Sequence, residues 1–423
     1  MKPIPSDIAS TSTRQFLIRC LRAFLGVEGE PPFDGVIEEE VVDWNLLFQL
    51  ASWHKVLPLL YRSLQGAGLQ AATEPVLSRL KAYVRSALGH SLFLTGELLR
   101  LLKRFEAQGI PAIPLKGPAL ASFLYGDMAL RQSVDIDILL RHEDFPAAKR
   151  LLLSLGYQPE YQLTRRQEKA YLQYNVEESF TLARGDTKIT TELHWSVDLL
   201  FHVNLKGVWE RCETASLAGA TVVTALSPED LLLFLCVHGS KHGWRCLQWL
   251  CDVARLVSIH VTMDWGLVME QAKTSGCQRV LFLGLFLAND ILGTPIPHEI
   301  KQKTQHDPLT ARLAGQVTRR LLEGPLIVPE IQKKMLHSLQ LMDHVQDRIS
   351  YCVHVLTTPG PADWSSLPLP DFLFPLYYVL RPMRLAGKYG LVKAVNYIYK
   401  RCKVGNTTKE RRNSSPEEKD LTR

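Results

Sequence analysis

The chain has 423 residues, 46% of them hydrophobic, and a net charge of +6, enough apolar content for two or three domains with real cores. The hydrophobic residues come in short periodic segments, and the longest nearly apolar run, Val280 to Leu287, is too short to span a bilayer. The charge is uneven, +8 over residues 372–423 against −2 for the rest, which argues against a general nucleic-acid surface, because that needs basic residues spread along one face.

Eight cysteines are scattered without a CxxC pair, a pattern of reduced thiols rather than of a disulfide framework or a zinc site. The first residues, MKPIPSDIASTSTRQ, carry neither an apolar h-region nor a small-residue cleavage site. Together these features predict a cytoplasmic protein.

Residues 1–95 read as a helical block. DWNLLFQLASWHKVLPLLYRSLQ places Leu46, Leu47, Leu50, Val56, Leu59, Leu60 and Leu64 at helical spacing. The amphipathic stretch SLFLTGELLRLLKRFEAQG ends at Gly109, a C-terminal stop. The pattern then changes over residues 96–200. IPAIPLKG is a short strand, PALASFLYG a short helix, and VDIDILL a second strand. HEDFPAAKRLLLSLGY is a helix opened by Asp144 and Pro146 and stopped at Gly156. ESFTLARGDTKITTELHWSV is a hairpin turning at Arg184-Gly185-Asp186-Thr187. From Pro228 the helical pattern returns, giving a C-terminal helical domain over 201–365. Residues 366–423 form a basic aromatic segment, FLFPLYYVLRPMRLAGKYGLVKAVNYIYKR, and a tail without hydrophobics that reads as disordered. The segment suits a final helix packed with its basic residues outward better than a membrane contact. The fold class expected is α+β, a small mixed-sheet core between N- and C-terminal helical blocks.

Asp135 and Asp137 interrupt an otherwise apolar strand. Alternation puts both carboxylates on one face, roughly 7 Å apart, and unpaired carboxylates in a buried strand are expensive. Two carboxylates can hold Mg²⁺ or Mn²⁺ against a triphosphate. A third, Glu192 in KITTELHW with His194 on the same face, can complete the metal site and take a proton. Gly117, after Lys116 at a strand-to-helix turn, leaves room for a phosphate to approach. Arg131, and from a later helix end Lys241, His242 or Arg245, are further candidates to meet the phosphates. Taken singly each of these features is common; the ordered set of glycine turn, D-x-D strand and hairpin carboxylate is what carries weight. His238 and His242 in HGSKHGW have a zinc-like spacing, but Gly239 and Gly243 weaken a helix there and no acidic ligand adjoins them.

The segment PLKGPALASFLYGDMALRQSVDIDILL through LLSLGY, followed by ELHW, resembles a family of bacterial nucleotidyltransferases marked by LKG, LY, R and D-I-D. The flanks VDWNLLFQLASWHKVLPLLYRSL, CVHGSKHGWRCLQWLCDVARL and MDWGLVMEQAKTSG extend the likeness over roughly residues 40–295. The resemblance implies the minimal nucleotidyltransferase fold, metal ligands at Asp135, Asp137 and Glu192, and a phosphate turn at Lys116 and Gly117. It implies an Mg²⁺-dependent enzyme that moves NMP from a nucleoside triphosphate such as ATP to a hydroxyl-bearing acceptor. Pro118 departs from the Gly-Ser or Gly-Gly turn of many relatives and brings no N–H, a loss that Lys116 or Arg131 would offset. Two alternatives follow, a non-catalytic nucleotide-sensing or partner-binding relative, and a toxin-type enzyme that adenylylates a protein or tRNA.

Overall fold

The computed structural model describes residues 6–27, 42–66, 74–197, 205–219, 221–323 and 339–390. The tail beyond 390, expected to be disordered, lies outside them. The N-terminal helices are α1 (Ser6–Leu25), α2 (Trp44–Trp53), α3 (Leu57–Gly66) and α4 (Glu74–Glu106). The helical pattern read through residues 43–65 is carried by two short helices, α2 and α3, with a break at Lys55, which adopts φ 58°. The N-terminus of α2 is held by Asp43, whose carboxylate accepts from the N–H groups of Asn45 and Leu46. Gly109, in a left-handed conformation (φ 67°), follows α4.

Next come β1 (Ala112–Pro114), α5 (Pro118–Leu120) with a π-helical turn over Ala121–Tyr125, β2 (Ile136–Leu140), α6 (Phe145–Ser154), β3 (Gln158–Pro159), α7 (Arg165–Tyr174), β4 (Glu177–Arg184) and β5 (Thr187–His194). The five strands form one mixed sheet in the order β1-β2-β5-β4-β3. Only β2 and β5 run parallel; β4 and β5 form the expected hairpin, with Arg184 opposite Thr187. A helix α8 (Leu205–Glu210) and a second hairpin, β6 (Glu213–Leu217) and β7 (Thr221–Ala225), follow. That hairpin lies in a stretch that shows no strand in the reading above. The β-branched run Thr221-Val222-Val223-Thr224 just after Gly219 was the available signal.

The C-terminal helices are α9 (Pro228–Lys241), α10 (Leu247–Ile259), α11 (Trp265–Thr274), α12 (Gln278–Leu292), α13 (His298–His306), α14 (Pro308–Glu323), α15 (Val345–Thr357), α16 (Pro361–Ser366) and α17 (Leu376–Leu385). Ser227 caps α9 by accepting from the Asp230 N–H, with Pro228 in the first turn. The apolar core is continuous from α1–α3 through β1 and the α5 turn to α9, α10, α12 and α14. Trp244 is fully buried in it, with Trp249 and Trp265 packed at its margin. Seven described cysteines are free thiols, and no helix among the described residues is long and apolar enough to cross a membrane.

The chain divides into two compact units. The larger holds residues 1–162 and 175–348, and therefore the whole sheet. The smaller joins residues 163–174, the region of α7, to residues 349–423. Within it Thr164 donates to Asp371 at 2.6 Å, and Arg166 donates to the Asp371 carbonyl at 3.0 Å. An insertion between two sheet strands is thus the anchor of the C-terminal segment.

Candidate active site

The site begins with register. Parallel pairing of β2 and β5 sets Asp137 directly opposite Glu192 and Leu139 opposite His194. Antiparallel pairing of β4 with β5 then sets Glu177 opposite His194. One face of three strands therefore collects Asp137, Glu192, His194 and Glu177, because same-face residues recur at period two. Ligand atoms of Asp137, Glu192 and His194 all lie within 4.8 Å of one another, the one such metal-capable group among the described residues.

Asp137 is 1% exposed, and its Oδ1 is 2.8 Å from Lys116 Nζ and 3.0 Å from His194 Nε2. Burial alone would raise its pKa; the two cations override that and hold it well below the usual carboxylate range. His194 is under the opposite pull. Its burial favours the neutral ring, but Asp137, Glu177 and Glu192 raise its pKa to about 10. Glu177 receives the other ring nitrogen at 3.1 Å and Lys241 Nζ at 3.3 Å. Against its burial these contacts lower its pKa to about 2. The result is a chain of alternating charge, Lys116, Asp137, His194, Glu177 and Lys241, with Glu192 3.6 Å from the His194 ring.

Asp135 is not in the strand. Pairing starts at Ile136, so Asp135 occupies the turn ahead of β2 and falls outside the compact ligand group. The expectation that both aspartates alternate along one strand is corrected here. Asp135 is still electrostatically part of the site. Burial, and then the charge of Asp137, raise its pKa to about 6, with Lys116 opposing.

Gly117 does something other than leave a gap. It adopts φ 61°, and a Cβ built on it would lie 2.5 Å from the Asp135 carbonyl oxygen. Glycine is needed so that the β1–α5 turn can press against the backbone of the aspartate turn. The Leu115 N–H donates to the Asp137 carbonyl at 2.9 Å, which places Lys116 beside the carboxylate. Arg131 holds the same turn from behind. It is 6% exposed, its guanidinium donates to both Asp252 oxygens at 3.1 Å, and Nη1 donates to the Gly117 carbonyl at 3.3 Å. Tyr125 Oη also donates to Asp252, at 3.0 Å. Arg131 is therefore bound to Asp252 and the turn rather than extended toward a ligand.

His238 and His242 lie in an aromatic cluster with Phe234 and Trp249, ring centroids 4.6 to 6.3 Å apart. Burial, and then Lys116, keep the His238 pKa well below its usual value. The neighbouring Arg245 donates to the His242 carbonyl. Glu177 and Asp252 are the site residues that sequence reasoning missed. Glu177 could have been found by writing out the hairpin register from the Arg184–Thr187 turn; Asp252, on α10, is brought to Arg131 by tertiary packing alone.

A divalent cation fits this donor set. Asp137 Oδ2 is buried and has no hydrogen-bond partner, an expensive condition for a carboxylate oxygen, and Glu192 is directly across the ladder. Paired carboxylate oxygens are the ligands that hard cations such as Mg²⁺ and Mn²⁺ prefer.

Residues 40–293, more than half of the chain, match the family described as uncharacterised nucleotidyltransferase. No curated protein matches. A crystal structure of an antigenic nucleotidyltransferase-like protein from Paracoccidioides brasiliensis is similar over 50% of this chain and 94% of that one, at 14% sequence identity and a TM-score of 0.32. The matched stretch includes the aspartate turn, the β2–β5 carboxylate pair and α9–α12, and on that match the chain belongs to the uncharacterised nucleotidyltransferase family.

Proposed function

We propose that the protein is an Mg²⁺- or Mn²⁺-dependent enzyme that transfers NMP from a nucleoside triphosphate to a hydroxyl-bearing acceptor and releases pyrophosphate. The observation that carries this reading is the cross-strand pair Asp137 and Glu192 with the unpartnered Asp137 Oδ2. Asp137 and Glu192 would hold the cation, with Asp135 supplying charge from the adjoining turn. Held there, it would supply charge neutralisation for the triphosphate oxygens and for the pyrophosphate that leaves.

Lys116 is placed to exchange part of its contact with Asp137 for a phosphate oxygen. Gly117 shapes the turn against Asp135, and Arg131 fixes that turn through its carbonyl. Lys241 is held at the margin of the site by Glu177, where it can meet the far end of the triphosphate. Glu192 is the candidate to accept the acceptor's proton. His194, flanked by three carboxylates, balances their charge and fixes the orientation of Asp137. Rate enhancement would then come mainly from positioning and charge neutralisation.

The first test is a panel of nucleoside triphosphates with Mg²⁺ or Mn²⁺, offered small-molecule, protein and tRNA acceptors, reading pyrophosphate release. Metal-dependent release with one acceptor class supports the proposal and identifies the acceptor, including a protein or tRNA target. A second reading, a non-catalytic nucleotide-binding relative, is favoured by Pro118, which offers no N–H, and by the engagement of Arg131 with Asp252. Metal-dependent nucleotide binding by calorimetry with no release across the panel would favour it.

A further inference from the structure

The turn between α9 and α10 collects positive charge that the candidate active site does not use. Arg245 Nε donates to the His242 carbonyl at 3.1 Å. Arg320, on α14, comes to the same turn: a Cβ built on Gly243 would lie 3.5 Å from its Nη1. Its Nε donates to the Gln316 carbonyl at 3.4 Å, within its own helix. Two guanidinium groups are thus seated against consecutive residues, 242 and 243, each held through Nε alone. Arg245 is exposed and Arg320 half-buried, and among the described residues neither meets a carboxylate. By contrast Arg131, Arg211 and Arg279 each pair with an aspartate. Burial, and then the charge of Arg245, lower the Arg320 pKa, as expected for like charges brought together with no acid between them.

A third cation stands beside the pair. The Leu247 N–H donates to His54 Nδ1 at 3.3 Å and the Gln248 N–H to the His54 carbonyl at 3.2 Å, which ties the start of α10 to the break between α2 and α3. Lys55 is therefore next to the turn, and its charge acts on the thiol of Cys246. Among the described residues the non-glycine ones with positive φ are Lys55, Ala218 and Trp244. Two of these three meet here, with Gly243 at φ 65° between the cations. Such backbone conformations are costly and gather where a ligand is clamped.

The donors left over indicate the ligand. With Nε engaged, each fork keeps its Nη groups for an outside acceptor. Guanidinium forks match the oxygens of carboxylate and phosphate. The two oxygens of a carboxylate are filled by one fork, whereas a phosphate monoester offers at least three and can accept from two forks and an ammonium together.

We propose that Arg245 and Arg320, with Lys55 beside them, bind the phosphate group of a small anion at the α9–α10 turn. Lys241, four residues before Arg245, is committed to Glu177 in the candidate active site, so the two sets of cations serve different sites. The proposal does not rest on the nucleotide reading.

The test is calorimetry and thermal melting of the full chain with inorganic phosphate, in EDTA and without nucleotide, against sodium chloride of equal ionic strength. Wild type should bind phosphate and melt higher in its presence, because a ligand of the folded state alone stabilises that state. Arg245→Gln and Arg320→Gln should each weaken binding about tenfold or more through the charge-assisted hydrogen bonds removed, and the phosphate-dependent rise in melting temperature should go with it. In chloride alone Arg245→Gln should melt no lower than wild type, since it removes one of two repelling charges; being exposed, Arg245 carries the test even if Arg320→Gln does not fold. Lys241→Gln should bind phosphate as wild type does. Glycerol phosphate separates two sources of the ligand: binding equal to that of inorganic phosphate assigns the site to a phosphate carried on a larger molecule, and binding of inorganic phosphate alone assigns it to the free ion. A wild type that responds to phosphate no more than to chloride would overturn the proposal. So would binding kept by both arginine variants and lost in Lys241→Gln, which would put the phosphate in the candidate active site.

Discussion

Asp137 and Glu192 are Cα partners across the parallel β2–β5 ladder, and Lys116 and His194 both contact the same oxygen of Asp137 while its other oxygen has no partner. The asymmetry separates two jobs within one carboxylate. Oδ1 stabilises the buried cations, and Oδ2 is the oxygen with ligand capacity to spare. Asp137→Asn keeps the side-chain volume and one carbonyl oxygen for Lys116, but removes the charge. Mn²⁺ binding, followed by calorimetry or electron paramagnetic resonance, should fall about tenfold or more, since a tenfold loss needs only about 1.4 kcal/mol. Unchanged Mn²⁺ affinity in a folded Asn variant would show that Asp137 is not a ligand.

Gly117 offers a test of the turn without altering any charge. Alanine there meets both the positive φ and the Asp135 carbonyl at 2.5 Å. Neither can be relieved by a flexible side chain, because the obstructing atom is backbone. Gly117→Ala should cost about 2 kcal/mol or more in urea unfolding, and the displaced Asp135 turn should weaken Mn²⁺ binding in parallel. A variant as stable as wild type would mean the turn tolerates another geometry.

The parts of this site that were legible in sequence are those fixed by local pattern. Alternating apolar residues around Asp137 announced a strand, and Lys116-Gly117-Pro118 announced the turn from β1 into α5. The Arg184–Thr187 turn announced the hairpin that carries Glu192. The strand-to-turn boundary between Asp135 and Ile136 was not legible, because pairing with β5, not local preference, decides where β2 begins. The break at Lys55 was hidden for a similar reason, since a lysine at φ 58° carries no glycine signal. Arg131 read as a phosphate ligand because its partner, Asp252, is 121 residues away and nothing local marks the pair. The final helix, expected to face its basic residues outward, instead pairs Arg381 and Arg384 of α17 with the buried Asp363 and leaves Val379 and Met383 exposed; that pairing, not local pattern, decides which side of the helix turns in.

That Arg131–Asp252 pair leads to a stability prediction. Both groups are buried, and Tyr125 shares the carboxylate. Asp252→Ala would leave a buried guanidinium without its counter-ion, a change that costs about 3–5 kcal/mol. The melting temperature should drop sharply. Replacing both residues, Arg131→Met with Asp252→Leu, should recover much of the loss. If the single variant melts like wild type, the pair does not hold the turn.

His54 sets a pH dependence far from the candidate site. Its Nδ1 accepts from the Leu247 N–H at 3.3 Å, its ring also meets the Leu321 backbone, and it is 1% exposed. Burial lowers its pKa from 6.5 to about 4. The folded state therefore favours the neutral ring, and the unfolded chain takes up its proton first as pH falls. Stability from this group is fully present above pH 6.5 and is lost progressively as pH falls through about 4. The loss amounts to about 3 kcal/mol from the size of the shift. His54→Gln keeps one donor and one acceptor and removes the titration. Between pH 6.5 and 4 its unfolding free energy should fall less steeply than that of wild type, and parallel curves would contradict the assignment.

Glu192 can be separated from Asp137 by what each loss leaves intact. Glu192 is half-buried, directly across the ladder, and 3.6 Å from His194, whereas Asp137 is fully engaged at one oxygen by Lys116 and His194. If Glu192 takes the acceptor's proton, Glu192→Gln should retain most of the metal-dependent affinity for nucleoside triphosphate through Asp137 and the aspartate turn. Transfer should fall by roughly 10² or more, the usual scale for losing a positioned base. A parallel loss of Mn²⁺ binding and of turnover would instead make Glu192 chiefly a ligand. Pyrophosphate release at the wild-type rate, with any acceptor that works, would remove Glu192 from the chemistry and leave the reaction to Asp137 and Asp135.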